Sequence, residues 1–146
     1  MSTGLLYGSD DFVAKWFFDS MGYPHYKFDR ALGIVSSGNL VGAILFQHWN
    51  GNNVEVSYYG KNTMTVGTIR SVARFVLTEF DPARLTATVS KRNRTLIRAL
   101  QKLGFRLEGT SRCYYGKKDT NRNVGVRFVA FRDAIEAVAK LNQEAA

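Results

Sequence analysis

The side chains able to do chemistry fall into a few groups along the 146 residues. Lys91, Arg94, Arg98 and Lys102 are spaced by three, four and four residues, which puts them on one side of a helix. Such a row can bind phosphate through charge-assisted hydrogen bonds, or it can simply be the solvated face of an amphipathic helix. Glu55 sits in Val54-Glu55-Val56-Ser57-Tyr58, where strand alternation sends Val54, Val56 and Tyr58 one way and Glu55, Ser57 and Tyr59 the other. Ser90, Ser111, Tyr114 and Tyr115 supply hydroxyl groups. Strand alternation through residue 115 would let only one of the two tyrosines face a common site. The single cysteine, Cys113, and the two histidines, His25 and His48, have no metal-ligand spacing, so no metal is expected.

The bulk composition limits the partners. A net charge of +8 favours anionic ligands: a phosphorylated cofactor, nucleic acid or an acidic protein surface. A lone cysteine cannot close an internal disulfide, which fits a reducing cytoplasm. No apolar run has the roughly 18 residues needed to cross a bilayer, and the first residues lack the pattern of a secretory signal, so no membrane partner is expected.

The elements that must position these groups follow from periodicity and turn signals. A short strand near Leu5–Tyr7 precedes a helix capped at Ser9 or Asp10 and running to Met21, with Phe12, Val13, Trp16 and Phe17 as its apolar face. Residues 29–36 and 39–48 form a hairpin about Ser37-Gly38, and a third strand follows Asn50-Gly51-Asn52. A helix capped at Thr63 or Thr65 reaches about Glu79, through Val66, Ile69, Val72, Ala73, Val76 and Phe80. Arg84–Ser90 is a strand, 93–103 a helix ending at Gly104, and 105–115 with 124–131 a hairpin. Residues 132–142 close the chain as a helix. The pattern predicts one domain over residues 1–146 of the α/β (α+β) class, with a mixed, mostly antiparallel sheet of six to seven strands flanked by helices.

The stretch RLTATVSKRNRTLIRALQKLGFRLEGTSRCYY carries a strand, an asparagine, an amphipathic helix, Leu-Gly-Phe, Glu-Gly and an arginine, Arg112, in order. It resembles the GNAT superfamily of acyl-CoA N-acyltransferases, and within it the ribosomal-protein N-terminal acetyltransferase branch. The resemblance is strong over 84–115 and extends more weakly over 5–131. It implies a fold whose fourth and fifth strands splay apart to hold the pantetheine arm of acetyl-CoA. The pyrophosphate would lie at the N-terminus of the following helix, where free amides and the helix dipole favour anions.

Residue by residue, the resemblance implies that Val56, Ser57 and Tyr58 line the pantetheine. Lys61, Asn62, Thr63, Thr65, Val66 and Gly67 meet the pyrophosphate, and Asn93 meets the arm near the thioester. Arg98 is a candidate for the cofactor's outer phosphate. Glu55 is the candidate base, Tyr114 and Tyr115 are candidate acids, and the amide of Val56 or Ser57 is the candidate oxyanion donor. Two departures stand out. Thr63 and Thr65 occupy the positions of the family's loop glycines, with Gly60 where it has Gln or Arg, so threonine hydroxyls and Lys61 would have to donate to phosphate. Leu100 occupies the position where many members have a catalytic tyrosine. The implied function is transfer of an acetyl group to an amine: a protein N-terminus, a lysine or a small amine. The other reading is a protein of the same fold, without the standard activity, that binds or modifies nucleic acid through its basic surface. Either would act as a monomer or homodimer, with the acceptor set by the 22–30 and 116–124 loops.

Overall fold

Alternating apolar residues build a single seven-stranded sheet with helices on both faces. The structure, a computed structural model, describes residues 3–60 and 63–141. In chain order the elements are β1 (Thr3–Leu6), α1 (Asp10–Met21), β2 (Arg30–Ser36), β3 (Asn39–Gln47), β4 (Asn53–Gly60), α2 (Val66–Glu79), β5 (Arg84–Ser90), α3 (Arg94–Lys102), β6 (Arg106–Ser111), β7 (Gly125–Phe131) and α4 (Arg132–Ala139). The strand order is β1-β2-β3-β4-β5-β7-β6, and among the described residues only β4 and β5 run parallel. The expected α/β class and mostly antiparallel mixed sheet are therefore present.

Period-two alternation divides the core. Ala43 and Leu45 of β3 pack with Val13, Ala14, Phe17 and Phe18 of α1. Ile44 and Phe46 pack on the opposite face with Ala73, Val76 and Phe80, and with Ile135 and Ala139 of α4. A third cluster joins Ala87 and Val89 of β5 to Leu100 of α3 and to Val126 and Phe128 of β7. The apolar stripe of α1 is rotated from the expected one, while that of α2 is as expected apart from its first member. Phe12 is 63% exposed while Ala14 and Phe18 are buried, and Val66 is exposed in the first turn of α2. The sheet face next to α1 is reached by 13, 14, 17 and 18, which is the tighter helical repeat.

Capping fixes where α2 and α3 begin. Thr65 Oγ1 accepts from the Thr68 amide at 3.1 Å, and Asn93 Oδ1 accepts from the Leu96 amide at 3.2 Å. α1 has no side-chain cap from Ser9. Asp10 instead accepts from Arg30 Nε at 2.8 Å and the Ala31 amide at 2.9 Å, tying the helix to β2. α4 is fastened to α2 by arginines: Arg70 and Arg74 donate to the carbonyls of Leu141 and Ala139, each at 3.0 Å. Gly104, at φ 92°, ends α3 against α4, where an added Cβ would lie 3.1 Å from that of Ala134.

The sheet is two antiparallel blocks joined by a short seam. β4 follows β3 from Glu55 opposite Gln47 to Gly60 opposite Gly42. β5 follows β7 as far, to Ser90 opposite Gly125. Between β4 and β5 only Asn53, Val54 and Glu55 pair, with Arg84, Leu85 and Thr86. Each block keeps its own twist, so beyond Glu55 the two strands diverge into a wedge. This is the splay that the resemblance implied.

Candidate functional site

The wedge opens into a cavity of about 970 Å³ that reaches both faces of the sheet. Its wall on one face is apolar. Val56 and Leu85, Val72 and Val76 of α2, Leu100 of α3 and Val138 of α4 contribute to it. The opposite face is aromatic and hydroxylic, with Glu55, Thr88, Ser90, Tyr23, Tyr114 and Tyr115.

Backbone direction decides which main-chain groups the wedge presents. The Phe46 carbonyl accepts from Asp29 at 2.8 Å, so the even-numbered residues of β3 face β2 and the odd-numbered ones face β4. Their register partners Glu55, Ser57 and Tyr59 turn their backbone groups back toward β3. Asn52 confirms the phase, since its carbonyl accepts from the amides of Ala83 and Arg84 at the start of β5. The backbone groups of Val54, Val56 and Tyr58 therefore face β5. The parallel rung at Glu55 and Thr86 uses the Val54 carbonyl and the Val56 amide. Past it, the Val56 carbonyl and both Tyr58 groups have no strand opposite them. This corrects the expected oxyanion donors. The Ser57 amide points into the β3 ladder and the Val56 amide closes the last rung, which leaves the Tyr58 amide.

Glu55 sits at that last rung, half-buried, with its side chain on the α1 face. No ion pair to it is recorded among the described residues. Tyr114 and Tyr115 both reach the cavity, contrary to the expected alternation. β6 ends at Ser111, and Cys113, at φ 55°, begins an irregular turn, so period two no longer applies. The two rings pack edge to face with centroids 4.9 Å apart. Burial pushes the Tyr114 phenol up and the Glu55 carboxylate adds to it, against a hydrogen bond with Thr88 and the charge of Arg127. Burial, then Tyr114, Tyr23 and Glu55, push Tyr115 up to about 12. Both tyrosines are therefore protonated and able to donate at neutral pH.

The cavity's end at the head of α2 offers fewer side-chain donors than expected. Thr63 is buried, and its hydroxyl bonds that of Tyr58 at 2.5 Å, so it does not offer the expected phosphate donor. An added Cβ at Gly60 would come 2.7 Å from Thr63 Oγ1, so Gly60 and Thr63 fit as a pair. The Thr65 hydroxyl is engaged with Thr68. Lys61 and Asn62 lie outside the described residues. The amides of Val66 and Gly67 lie in the first turn of α2, where helix geometry leaves them without an intrahelical partner. A Cβ at Gly67 would make ordinary van der Waals contact with Thr65 Oγ1 at 3.8 Å and would clash with nothing.

Asn93 lines the cavity while capping α3. Arg98 is exposed and does not line it. From Lys91 to Arg106 the chain carries six cations (Lys91, Arg92, Arg94, Arg98, Lys102 and Arg106) and no carboxylate. Trp16 packs on Tyr59 with ring centroids 5.8 Å apart, and the buried Phe17 also borders the cavity. Arg112 pairs with Asp119, away from the cavity lining. Sequence reasoning missed Tyr23 and Thr88. Thr88 was available from alternation with Ala87 and Val89, while Tyr23 had no signal beyond lying in the loop after α1.

No family model and no curated protein matches the chain. Solved structures do. A protein described as a probable acetyltransferase is 17% identical over 71% of this chain, with a TM-score of 0.59, and the chain spans 61% of its length. Mutant forms of the spermidine/spermine N-acetyltransferase of Vibrio cholerae are 13% identical over 84% of this chain and 77% of theirs, with a TM-score of 0.62. The ribosomal-protein-S5-alanine acetyltransferase of Vibrio fischeri is 13% identical over 82% of this chain and 67% of its own, with a TM-score of 0.60. The chain has the GNAT fold.

Proposed function

We propose that the protein is an N-acyltransferase that moves an acetyl group from acetyl-CoA to a primary amine. The observation that carries this reading is the wedge: an unpaired strand edge with a carboxylate at its apex and two protonated phenols beside it. The apolar wall and the free groups of Val56 and Tyr58 fit a pantetheine arm added as an extra strand. Asn93 would border the arm, and the amides of Val66 and Gly67 fit phosphate at the head of α2. Lys61 and Asn62 belong to the same proposed phosphate contact. With the Thr63 hydroxyl turned inward, this end would bind through backbone more than through side chains.

Glu55 accepts a proton from the ammonium, directly or through water, as the amine nitrogen attacks the thioester carbonyl carbon. The Tyr58 amide is the backbone donor left for the developing oxyanion. As the carbon–sulfur bond breaks, Tyr114 or Tyr115 protonates the departing sulfur and is reprotonated, directly or through water, by the second proton that the nitrogen releases, while Glu55 passes its own to solvent. Binding both reactants in one cavity supplies much of the acceleration. The acceptor enters from the α1 face, where Glu55 and the tyrosines stand.

The test is thermal unfolding with and without acetyl-CoA, followed by thiol release on adding amines. At a hundred times its dissociation constant a ligand stabilises by about 2.7 kcal/mol. An unchanged melting temperature at millimolar acetyl-CoA would refute the proposal. A second reading, polyanion binding by the α3 face, is favoured by its acid-free run of cations and predicts affinity for RNA or DNA that falls steeply with salt.

A further inference from the structure

Four tyrosines that the transfer chemistry does not require as a group converge on the acceptor side of the cavity. Tyr23 and Tyr26, in the loop between α1 and β2, line it together with Tyr114 and Tyr115. All four are between 40% and 56% exposed, so together they form an accessible aromatic patch on one side of the cavity. Tyr23 is close enough to Tyr114 and Tyr115 to influence the ionisation of both, and Glu55 does the same. Behind Tyr26, Phe18 packs edge to face at 5.9 Å and itself stacks on His25, so the ring is backed by a packed layer.

Charge narrows the ligand. Glu55 is the one carboxylate among the described lining residues, and Lys27 also lines the cavity. Arg127 lies near Tyr114. A polyamine would bring several positive charges to a wall with a single negative one and two cations at hand. One ammonium, by contrast, is matched by Glu55 and by the electron-rich faces of the rings. The remaining ring surface suits an aromatic body, which prefers edge-to-face or offset contact.

Resting on the acyl-transfer reading, we infer that the acceptor is a small primary amine with one positive charge, carried on an aromatic body. Its ammonium lies at Glu55 and its ring among Tyr23, Tyr26, Tyr114 and Tyr115. Tyr23 and Tyr26 are then specificity-determining residues and take no part in proton transfer.

The experiment has two arms. In the first, 2-phenylethylamine and spermidine are titrated into the protein without donor, followed by calorimetry. The arylalkylamine binds at least ten times more tightly, and Tyr23→Ala or Tyr26→Ala weakens it by about that factor. Both residues are exposed enough for the variants to fold, which unfolding curves would verify. In the second arm, acetyl transfer is measured. The same variants raise KM for 2-phenylethylamine about tenfold with kcat within twofold, and leave acetyl-CoA-induced stabilisation unchanged. Spermidine binding as tightly as the arylalkylamine, or variants with unaltered affinity, would overturn the inference. Loss of acetyl-CoA stabilisation in the native protein would instead defeat the transfer reading, while the first arm still decides the amine site.

Discussion

The two faces of the wedge are built from the same strands and differ in kind. Even-numbered residues of β4 and odd-numbered residues of β5 give the apolar wall beneath α2, α3 and α4. Their neighbours Glu55, Thr88 and Ser90 give the polar face beside α1. One alternation produces both, because adjacent side chains of a strand must leave on opposite sides. In the proposed reaction the apolar face would hold the body of the pantetheine arm, while the free backbone groups of Val56 and Tyr58 would meet its amides. The polar face carries the groups proposed to move protons, Glu55, Tyr114 and Tyr115. A reaction across the sheet can thus separate donor binding from acceptor chemistry by the thickness of one strand.

The sharpest way to break this separation is Glu55→Gln. Transfer is expected to fall about a hundred- to ten-thousand-fold in kcat, the usual range for a general base, with acetyl-CoA stabilisation intact. A variant that transfers at the native rate would remove Glu55 from the mechanism. Leu100→Ala attacks the apolar face alone. A buried leucine lost to alanine costs about 2–5 kcal/mol of stability, measurable in denaturant unfolding, and should weaken donor binding. Asn93→Ala removes the cap of α3 at the cavity edge and is expected to cost about 1 kcal/mol. Thr63→Val deletes the hydroxyl bonded to Tyr58. It should cost about 1 kcal/mol and leave amine affinity untouched, which calorimetry would check.

The smallest expected effect comes from pH on the polar face. The raised phenols of Tyr114 and Tyr115 favour the protonated, folded form. Their stabilising contribution is complete below the ordinary tyrosine value of 10.0 and fades as pH rises toward about 12. Ultraviolet titration should show a late-ionising phenol that disappears in Tyr115→Phe. An early, uniform titration would show that the pair is not held as described. At the acid end, burial pushes the Asp10 carboxyl up, but its bonds from Arg30 and the Ala31 amide hold it below its usual value. Its contribution is present above pH 3.8 and is lost as pH falls through the lowered value.

Elements with strong periodicity were legible without coordinates. Alternation predicts β5 over Arg84–Ser90 and the strand has those bounds, and the β2–β3 hairpin turns at Ser37-Gly38 as expected. Failures came where neighbours override local pattern. Phe12 matched the helical stripe as well as Ala14 or Phe18, and only docking of α1 on β3 chose between them. Thr63 had the composition of a phosphate donor, but a register that sets Gly60 opposite Gly42 makes room for its hydroxyl to turn inward to Tyr58.

The amino-acid sequence by itself determined which side chains share a face of each strand and where α2 and α3 begin, because these follow from fixed periods and local caps. It thereby separated Glu55 from Val54 and Val56, and set Asn93 at the head of α3. Only the tertiary structure decided that β4 and β5 part after Glu55. It also decided that Tyr114 and Tyr115 reach the same cavity, and that Tyr23 meets them there. Those outcomes depend on the competing twists of two blocks and on a turn with positive φ at Cys113. They are relations between segments far apart in the chain, and no local period encodes them.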